Sequence, residues 1–280
     1  MRNVDDLLRA NRRAGVAEVC WSDASGGPRA MAVIPLEHEG QPALALYWSQ
    51  WSLARELASC SGVAWVLSDR RMAQRGWEPT VGFGRMRLLV DDDGSMFAES
   101  MLDQELRKHP PSRAFADSRL LRREKWWFLP RLILKLEPNA AHTVGERTEP
   151  DSHGILAVGT ADATVTVDTV AVDPNQVDGV CEGPIACTSL AGVAPQARGP
   201  AVLLRHDFSV PDLERWGHRI TSGRWDGRRL EPIGGPDTGG PTPLLPPVPG
   251  LRDRLRNDRQ LERDIRRALR GEIGSNARSD

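Results

Sequence analysis

The chain has 280 residues, of which 40% are hydrophobic and 27% are charged, and its formal net charge is −1 at pH 7. These proportions are typical of a globular protein. The near-zero charge argues against a surface that attracts nucleic acid or anionic membranes as a whole. The apolar runs are far shorter than the roughly 20 residues that span a bilayer. The first 15 residues mix charges into an apolar pattern and lack a small-residue cleavage site, so we expect a cytoplasmic protein.

Helices and strands alternate along the first half. Apolar spacing and turn residues predict helices at 3–14, 53–59, 95–110 and 112–130, and strands at 16–23, 28–40, 42–48, 62–69, 81–94 and 131–138. The hydroxyl of Ser52 is suited to cap the helix that follows it, and the glycines at positions 82 and 84 indicate a bulge. This half therefore predicts an antiparallel β-barrel with peripheral helices, an α+β fold that is mainly β.

The second half is rich in β-branched residues. The pattern predicts strands at 155–160, 163–172, 200–209 and 220–232, with a short helix at 211–219. Residues 150–232 are thus a second β-rich domain. Residues 233–250 are rich in proline and glycine, which is typical of a linker. Residues 251–271 predict a basic amphipathic helix, which either docks its apolar stripe on this protein or a twin subunit or serves as an interaction tail for acidic partners or nucleic acid.

Two segments, one from each half, resemble each other. VAWVLSD followed by VGFGRMRLLVDDDG aligns with AVLLRHD followed by ITSGRWDGRRLEP. Both place a Gly-Arg pair, Gly84-Arg85 and Gly223-Arg224, at the same point of a strand. A weak internal repeat and a chance likeness of two hairpins both account for the pattern. The second half is therefore a candidate degenerate copy of the first.

Motifs for metal binding or nucleophilic catalysis are not found in the sequence. The cysteines, which form no CxxC pair, are Cys20, Cys60, Cys181 and Cys187. The six histidines show no ligand spacing, and the Asp-rich turn at 91–94 lacks the other positions of a calcium loop. We therefore predict thiols in a reducing compartment and no metal site, and the sequence names no catalytic residue.

One strand–helix junction has the residue types that a phosphate requires. Ser49, Gln50 and Ser52 supply hydroxyl and amide donors, and the start of the next helix presents free backbone N–H groups. The guanidinium of Arg55 can bind two phosphate oxygens, and Arg85 on a later strand offers a second cation. The sequence predicts a cofactor phosphate site at these five residues, although a helix cap beside a solvated arginine explains the pattern equally well.

Residues 15–138 resemble the pyridoxamine 5'-phosphate oxidase-like family of FMN-binding split barrels. The resemblance rests on GGPRAMAVIP, on LYWSQWSLARELASCSGVAWVLSD, and on GFGRMRLLVD followed by a helical hairpin and LILKLEP. It implies a split barrel over residues 1–140, with the FMN phosphate held by Ser49, Ser52 and Arg55 and the flavin ring between two barrels. Other members of the fold bind the deazaflavin F420 or haem. The substrate-phosphate motifs of the true oxidases are not recognisable here.

Three functions follow from this resemblance. The first is an FMN- or deazaflavin-dependent oxidoreductase with a small-molecule substrate, built as a homodimer or as an intrachain pseudo-dimer. The second is a non-catalytic binding or regulatory protein on the same scaffold, with the basic tail as its contact surface. The third is a haem-binding barrel, which needs an axial ligand such as histidine. Neither a membrane nor a nucleic acid is expected as a partner.

Overall fold

A computed structural model describes residues 3–113, 126–177, 183–193, 195–233 and 244–276. The helices are α1 (Val4–Arg13), α2 (Trp51–Ser59), α3 (Ser95–Ser100), α4 (Leu102–Lys108), α5 (Pro174–Val177) and α6 (Leu251–Asn276). The strands are β1 (Ala17–Ser22), β2 (Pro28–Val33), β3 (Leu36–His38), β4 (Gln41–Leu46), β5 (Val63–Leu67), β6 (Thr80–Asp91), β7 (Arg131–Thr143), β8 (His153–Gly159), β9 (Val165–Val172), β10 (Ile185–Ser189), β11 (Gly199–Phe208), β12 (Trp216–Trp225) and β13 (Arg229–Pro232).

The strands form two antiparallel sheets, one in each half of the chain. The first has the order β2-β1-β5-β6-β7-β4-β3, and the second is a closed barrel of β10-β13-β12-β11-β8-β9. The predicted fold class, antiparallel and mainly β with peripheral helices, is confirmed. Among the described residues, no helix is long and apolar enough to cross a membrane.

The first sheet also folds back on itself. Its two edge strands, β2 and β3, are separated in the chain only by Ile34 and Pro35. We predicted one strand over 28–40, but proline has no N–H for a ladder hydrogen bond, and the strand is interrupted there. Since β2 pairs with β1 while β3 pairs with β4, these two pieces close a barrel that is split at Pro35.

The two halves share strand order and register. The segment β2–β3 of the first half corresponds to β9 of the second. Strands β1, β4, β5, β6 and β7 correspond, in that order, to β8, β10, β11, β12 and β13. With these correspondences the two strand orders are the same. Val63 lies opposite Gly84, as Ala201 lies opposite Gly223. A Cβ atom added at Gly84 would lie 2.2 Å from a carbonyl oxygen of the neighbouring strand, and one added at Gly223 would lie 2.3 Å from the corresponding oxygen. Agreement at this detail favours the internal repeat over a chance likeness of hairpins. The bulge predicted near Gly84 is also present.

The halves pack face to face through β1, β2 and β5 of the first and β8, β9 and β11 of the second. We call this contact the seam. Its core joins apolar residues from both barrels, including Cys20, Val66, Ile155 and Leu204. A separate core fills the first barrel and extends to Ile265 and Leu269 of α6, so the C-terminal helix docks on its own chain.

Two predicted helices differ in the structure. The helix predicted at 95–110 is divided into α3 and α4 at Met101, whose φ of −124° departs from helical geometry. The prediction of a helix at 211–219 is wrong, because this segment contains the turn of a hairpin in which Trp216 already pairs with Phe208. The side chain of Asp212 accepts from the backbone N–H of Glu214 at 3.1 Å and competes with helix formation. Most of the helix predicted at 112–130, and Cys181, lie outside the described residues.

Candidate cofactor-binding groove

Helix α2 starts earlier than its sequence predicts. A 3-10 turn at Trp48–Gln50 leads directly into the helix at Trp51. Ser52 therefore lies in the first turn of α2. The prediction that it caps the helix is wrong, because the 3-10 turn leads the chain into the helix one residue before Ser52. Ala54 and Leu57 are fully buried against the first barrel, while Ser52 and Arg55 are exposed. The helical spacing thus presents a serine and an arginine on the solvent side.

This solvent side forms one wall of a groove of about 660 Å³. Trp51, Ser52, Arg55 and Glu56 line it from α2, and Leu88 lines it from β6. A second groove of about 530 Å³ continues from it and shares part of its lining. The residues common to both are Ala58, Ser59 and Leu88. We call the two together the α2 groove.

The α2 groove contains three of the five predicted site residues. Ser52 and Arg55 line its first part, and Arg85 lines its second part. Ser49 and Gln50 line neither part. The side-chain oxygen of Gln50 accepts a hydrogen bond from the backbone N–H of Tyr47 at 3.2 Å and thereby stabilises the 3-10 turn. Ser49 is exposed on that turn.

The groove is rich in cations. Arg55, Arg85 and Arg87 contribute three guanidinium groups, and Glu56 and Glu137 contribute two carboxylates. The carboxylate of Glu56 accepts from the indole N–H of a β1 tryptophan at 2.7 Å, which directs it into the wall. No ion pair to an acidic side chain is found for Arg55 within the described part of the chain. Its charge therefore remains available to an anion.

The one thiol at the groove is not a nucleophile. The Sγ atom of Cys60 lies 3.2 Å from the carbonyl oxygen of Ser22 and 3.1 Å from that of Glu56. Burial raises the pKa of Cys60 to about 11, so the thiolate is scarce near neutral pH. Within the described ranges no group of three or more histidine, cysteine, aspartate or glutamate side chains could hold a metal ion. The groove can bind an anion, but it presents no activated nucleophile from these groups.

One end of the groove reaches the seam. The hydroxyl of Ser61, beside Arg85, donates to the carbonyl oxygen of Ala163 at 2.7 Å. The hydroxyl of Ser22 donates to that of Thr164 at 3.0 Å. Both acceptors belong to the turn between β8 and β9. The β8–β9 turn of the second half therefore lies beside the second part of the groove, whose lining residues all come from the first half.

The second half has no helix matching α2 in its described residues. The segment that corresponds to α2 joins β10 to β11, and residues 190–193 and 195–198 of this segment contain no helix. The hydroxyl of Ser189 accepts from the backbone N–H of Ala191 at 3.2 Å, which stabilises a turn. The degenerate copy has therefore lost the helix that carries serine and arginine in the first half.

A second polar cluster lies buried in the seam. Glu18 of β1 receives hydrogen bonds from Arg147, and its Oε1 lies 2.7 Å from Nε2 of His206. Arg147 also donates to Ser68 at 2.8 Å and lies 3.8 Å from Asp69. All five side chains are at most 4% exposed. Sequence patterns missed this cluster because its members come from four distant segments and have no periodicity.

The environment of the cluster shifts two pKa values. Burial raises the pKa of Asp69, but the hydrogen bond from Arg71 and the charge of Arg147 outweigh burial, and the pKa is lowered overall. Burial lowers the pKa of His206, and the Arg147 charge lowers it further against the opposing effect of Glu18. His206 is therefore neutral in the folded protein. The cluster is almost wholly buried and joins the two halves.

Comparison with known proteins gives structural neighbours only. No family model matches the sequence, and no curated protein matches it. Similar structures include the haem storage protein HutZ from Vibrio cholerae (11% identity, 51% of this chain and 95% of that chain, TM-score 0.34). Another is a pyridoxamine 5'-phosphate oxidase-related, FMN-binding protein from Nostoc punctiforme (15% identity, 59% and 93%, TM-score 0.31). A haem-binding protein from Mycobacterium smegmatis is similar over 96% of this chain and 99% of its own, at 12% identity and a TM-score of 0.35.

By their names, these neighbours are FMN-binding, haem-storage and haem-binding proteins. Their identities to this chain lie below 25% and their TM-scores below 0.5. At these values they assign neither a cofactor nor a reaction to this chain.

Proposed function

We propose that the α2 groove binds the phosphate of FMN or a related deazaflavin, and that the protein is an oxidoreductase acting on a small molecule. The observation that carries this proposal is that Ser52 and Arg55 line the first part of the α2 groove and Arg85 lines its adjoining second part. A bound flavin would supply two-electron redox chemistry.

The composition of the groove fits a phosphate. A phosphate monoester carries up to two negative charges and is bound well by guanidinium forks and hydroxyl donors. Arg55 and Arg85 supply the forks and Ser52 the hydroxyl. Trp51 stacks on Trp48 with ring centroids 5.5 Å apart, which gives the groove a rigid aromatic edge. The protein would anchor and orient the cofactor, and the seam would exclude water from one side.

The test is a titration of the purified protein with FMN, followed by flavin fluorescence. We expect saturable binding of one FMN per chain. Arg55→Ala should weaken binding about 10- to 150-fold, since a hydrogen bond to a charged group contributes roughly 1.5–3 kcal/mol. Arg107→Ala, which removes an exposed arginine from α4, is the matched control and should bind as the unmodified protein does.

Two results would contradict the proposal. If the Arg55→Ala and Arg107→Ala variants bound FMN with equal affinity, the proposal that this groove binds the phosphate would be wrong. A purified protein with an intense Soret band and no affinity for FMN would make it a haem protein. Haem lacks support in the groove itself, because none of the side chains lining it is a histidine.

A further inference from the structure

The outer face of α6 carries a row of arginines that the proposed function does not use. The row consists of Arg252, Arg256, Arg259, Arg263, Arg267 and Arg270. All six are exposed. Steps of three or four residues place them on one side of the helix, and positions 252 to 270 span about 27 Å at roughly 1.5 Å per residue. We call this surface the arginine face.

The opposite side of α6 is fixed against the protein. Ile265 is fully buried and Leu269 is 4% exposed, both within the core of the first barrel. Arg254 pairs with Glu214 of the second half at 3.0 Å, so the helix is attached to both halves. Ile265 and Leu269 are therefore covered by their own chain and are not free to enter a lipid surface, whereas Leu255 is 49% exposed. The charged side of the helix remains available to a partner.

Basic residues outnumber acids on this side of α6. The acidic residues of the helix are Asp253, Asp258, Glu262, Asp264 and Glu272. At roughly 100° per residue they lie outside the sector of about 80° that holds the six arginines. Glu262, which pairs with Arg266 at 2.7 Å, lines a groove with four of the six, namely Arg252, Arg256, Arg259 and Arg263. None of the six forms an ion pair with an acidic side chain among the described residues. The arginine face therefore has an excess of positive charge.

We propose that the arginine face binds the phosphate backbone of nucleic acid. A rigid row of guanidinium groups at intervals of about 4.5–6 Å needs a partner that presents many anions in line. Duplex DNA carries roughly one charge per 1.7 Å, or about 16 over the length of the row. Arginine also forks onto phosphate oxygens. The net charge of the whole chain argued against nucleic acid as a partner, but a net charge does not describe the charge of one face.

The test is fluorescence anisotropy of the full chain with labelled duplex DNA and single-stranded RNA of about 20 nucleotides, at about 50 and 200 mM salt. If four arginines each neutralise one duplex phosphate, the dissociation constant should rise about 150-fold between the two salt concentrations. The two probes distinguish DNA from RNA as the natural backbone.

Two variants with equal loss of charge locate the surface. The first variant combines Arg256→Glu, Arg259→Glu and Arg263→Glu. The control variant combines Arg70→Glu, Arg75→Glu and Arg107→Glu, at arginines that are also exposed. The first should lose at least about 100-fold in affinity, and the control should stay within about threefold at 200 mM salt. Replacing the same three α6 arginines by lysine should preserve most of the binding, because the charge is retained.

Three results would overturn the proposal. They are absence of binding by the unmodified chain at low salt, equal losses in the two glutamate variants, or binding to vesicles of phosphatidylserine with none to either nucleic acid. Circular dichroism and a thermal melt of the α6 variant show whether it is folded. Its FMN affinity should be unchanged, so that failure here and failure of the flavin proposal are separate results.

Discussion

Replacing Arg147 tests whether the buried cluster joins the two barrels. This residue is 2% exposed and lies between Glu18, which is fully buried, and Asp69, which is 4% exposed. Arg147→Met preserves much of the side-chain volume but leaves Glu18 without its cation, while Asp69 keeps its ion pair with Arg71 at 2.8 Å. Breaking a buried ion pair from one side costs about 3–5 kcal/mol, which is a large share of the roughly 5–15 kcal/mol that holds a domain folded.

The assay is urea unfolding followed by tryptophan fluorescence and circular dichroism. The matched control is Arg254→Met, whose ion pair with Glu214 is exposed at 46% and 40% of the two side chains. An exposed pair contributes about 0–1 kcal/mol, so the control should unfold at nearly the original urea concentration. In the Glu18→Gln background, the effect of Arg147→Met should shrink, because the carboxylate that the substitution strands has already been removed.

The reasoning fails if Arg147→Met lowers the free energy of unfolding by no more than the control does. It also fails if the losses from Glu18→Gln and Arg147→Met simply add in the double variant, since residues in contact should couple. Either result would mean that solvent reaches the cluster and screens it.

The remaining predictions concern pH and the repeated glycines. Burial holds the pKa of His206 below its ordinary value, so the unfolded chain takes up the proton first as pH falls through about 6.5. The free energy of unfolding should therefore fall with acidification below that pH, and His206→Gln should flatten the curve measured by urea titration; an unchanged curve would contradict a neutral buried imidazole. Gly84→Ala and Gly223→Ala should each destabilise the protein by about 2 kcal/mol or more, because the added Cβ meets a backbone oxygen at 2.2 and 2.3 Å. Thermal melts would test this, and tolerance of alanine at either position would disprove the close strand approach.

Local patterns predicted the strands better than the breaks within them. The apolar run that contains Trp65 predicted a central buried strand, and β5 lies between β1 and β6 with every residue buried. The interruption at Pro35 and the hairpin turn at Asp212 were missed. Both depend on which strand lies alongside, as Trp216 does with Phe208, and a window of sequence does not contain that information.

The candidate site was predicted in part for the same reason. Ser52 and Arg55 lie one turn apart on α2, so their common face follows from helical spacing. Arg85 was predicted as a second cation, and it reaches the groove because β6 runs beside α2. The weak repeat did not predict this contact between β6 and α2. Arg147 lies in a polar stretch after β7 without periodicity, and its role depends on a partner 129 residues away. Short-range pattern cannot predict such a contact.

The repeat itself explains why one groove is expected per chain. Two identical barrels would present two equivalent grooves at their contact, each ending at the partner barrel. Here the first half retains α2 with Ser52 and Arg55, while the second half has a turn at Ser189. The second barrel still contributes the turn that receives the hydroxyls of Ser22 and Ser61. If the α2 groove is the phosphate site proposed above, a chain whose second half has no helix at this position, in its described residues, should bind one cofactor.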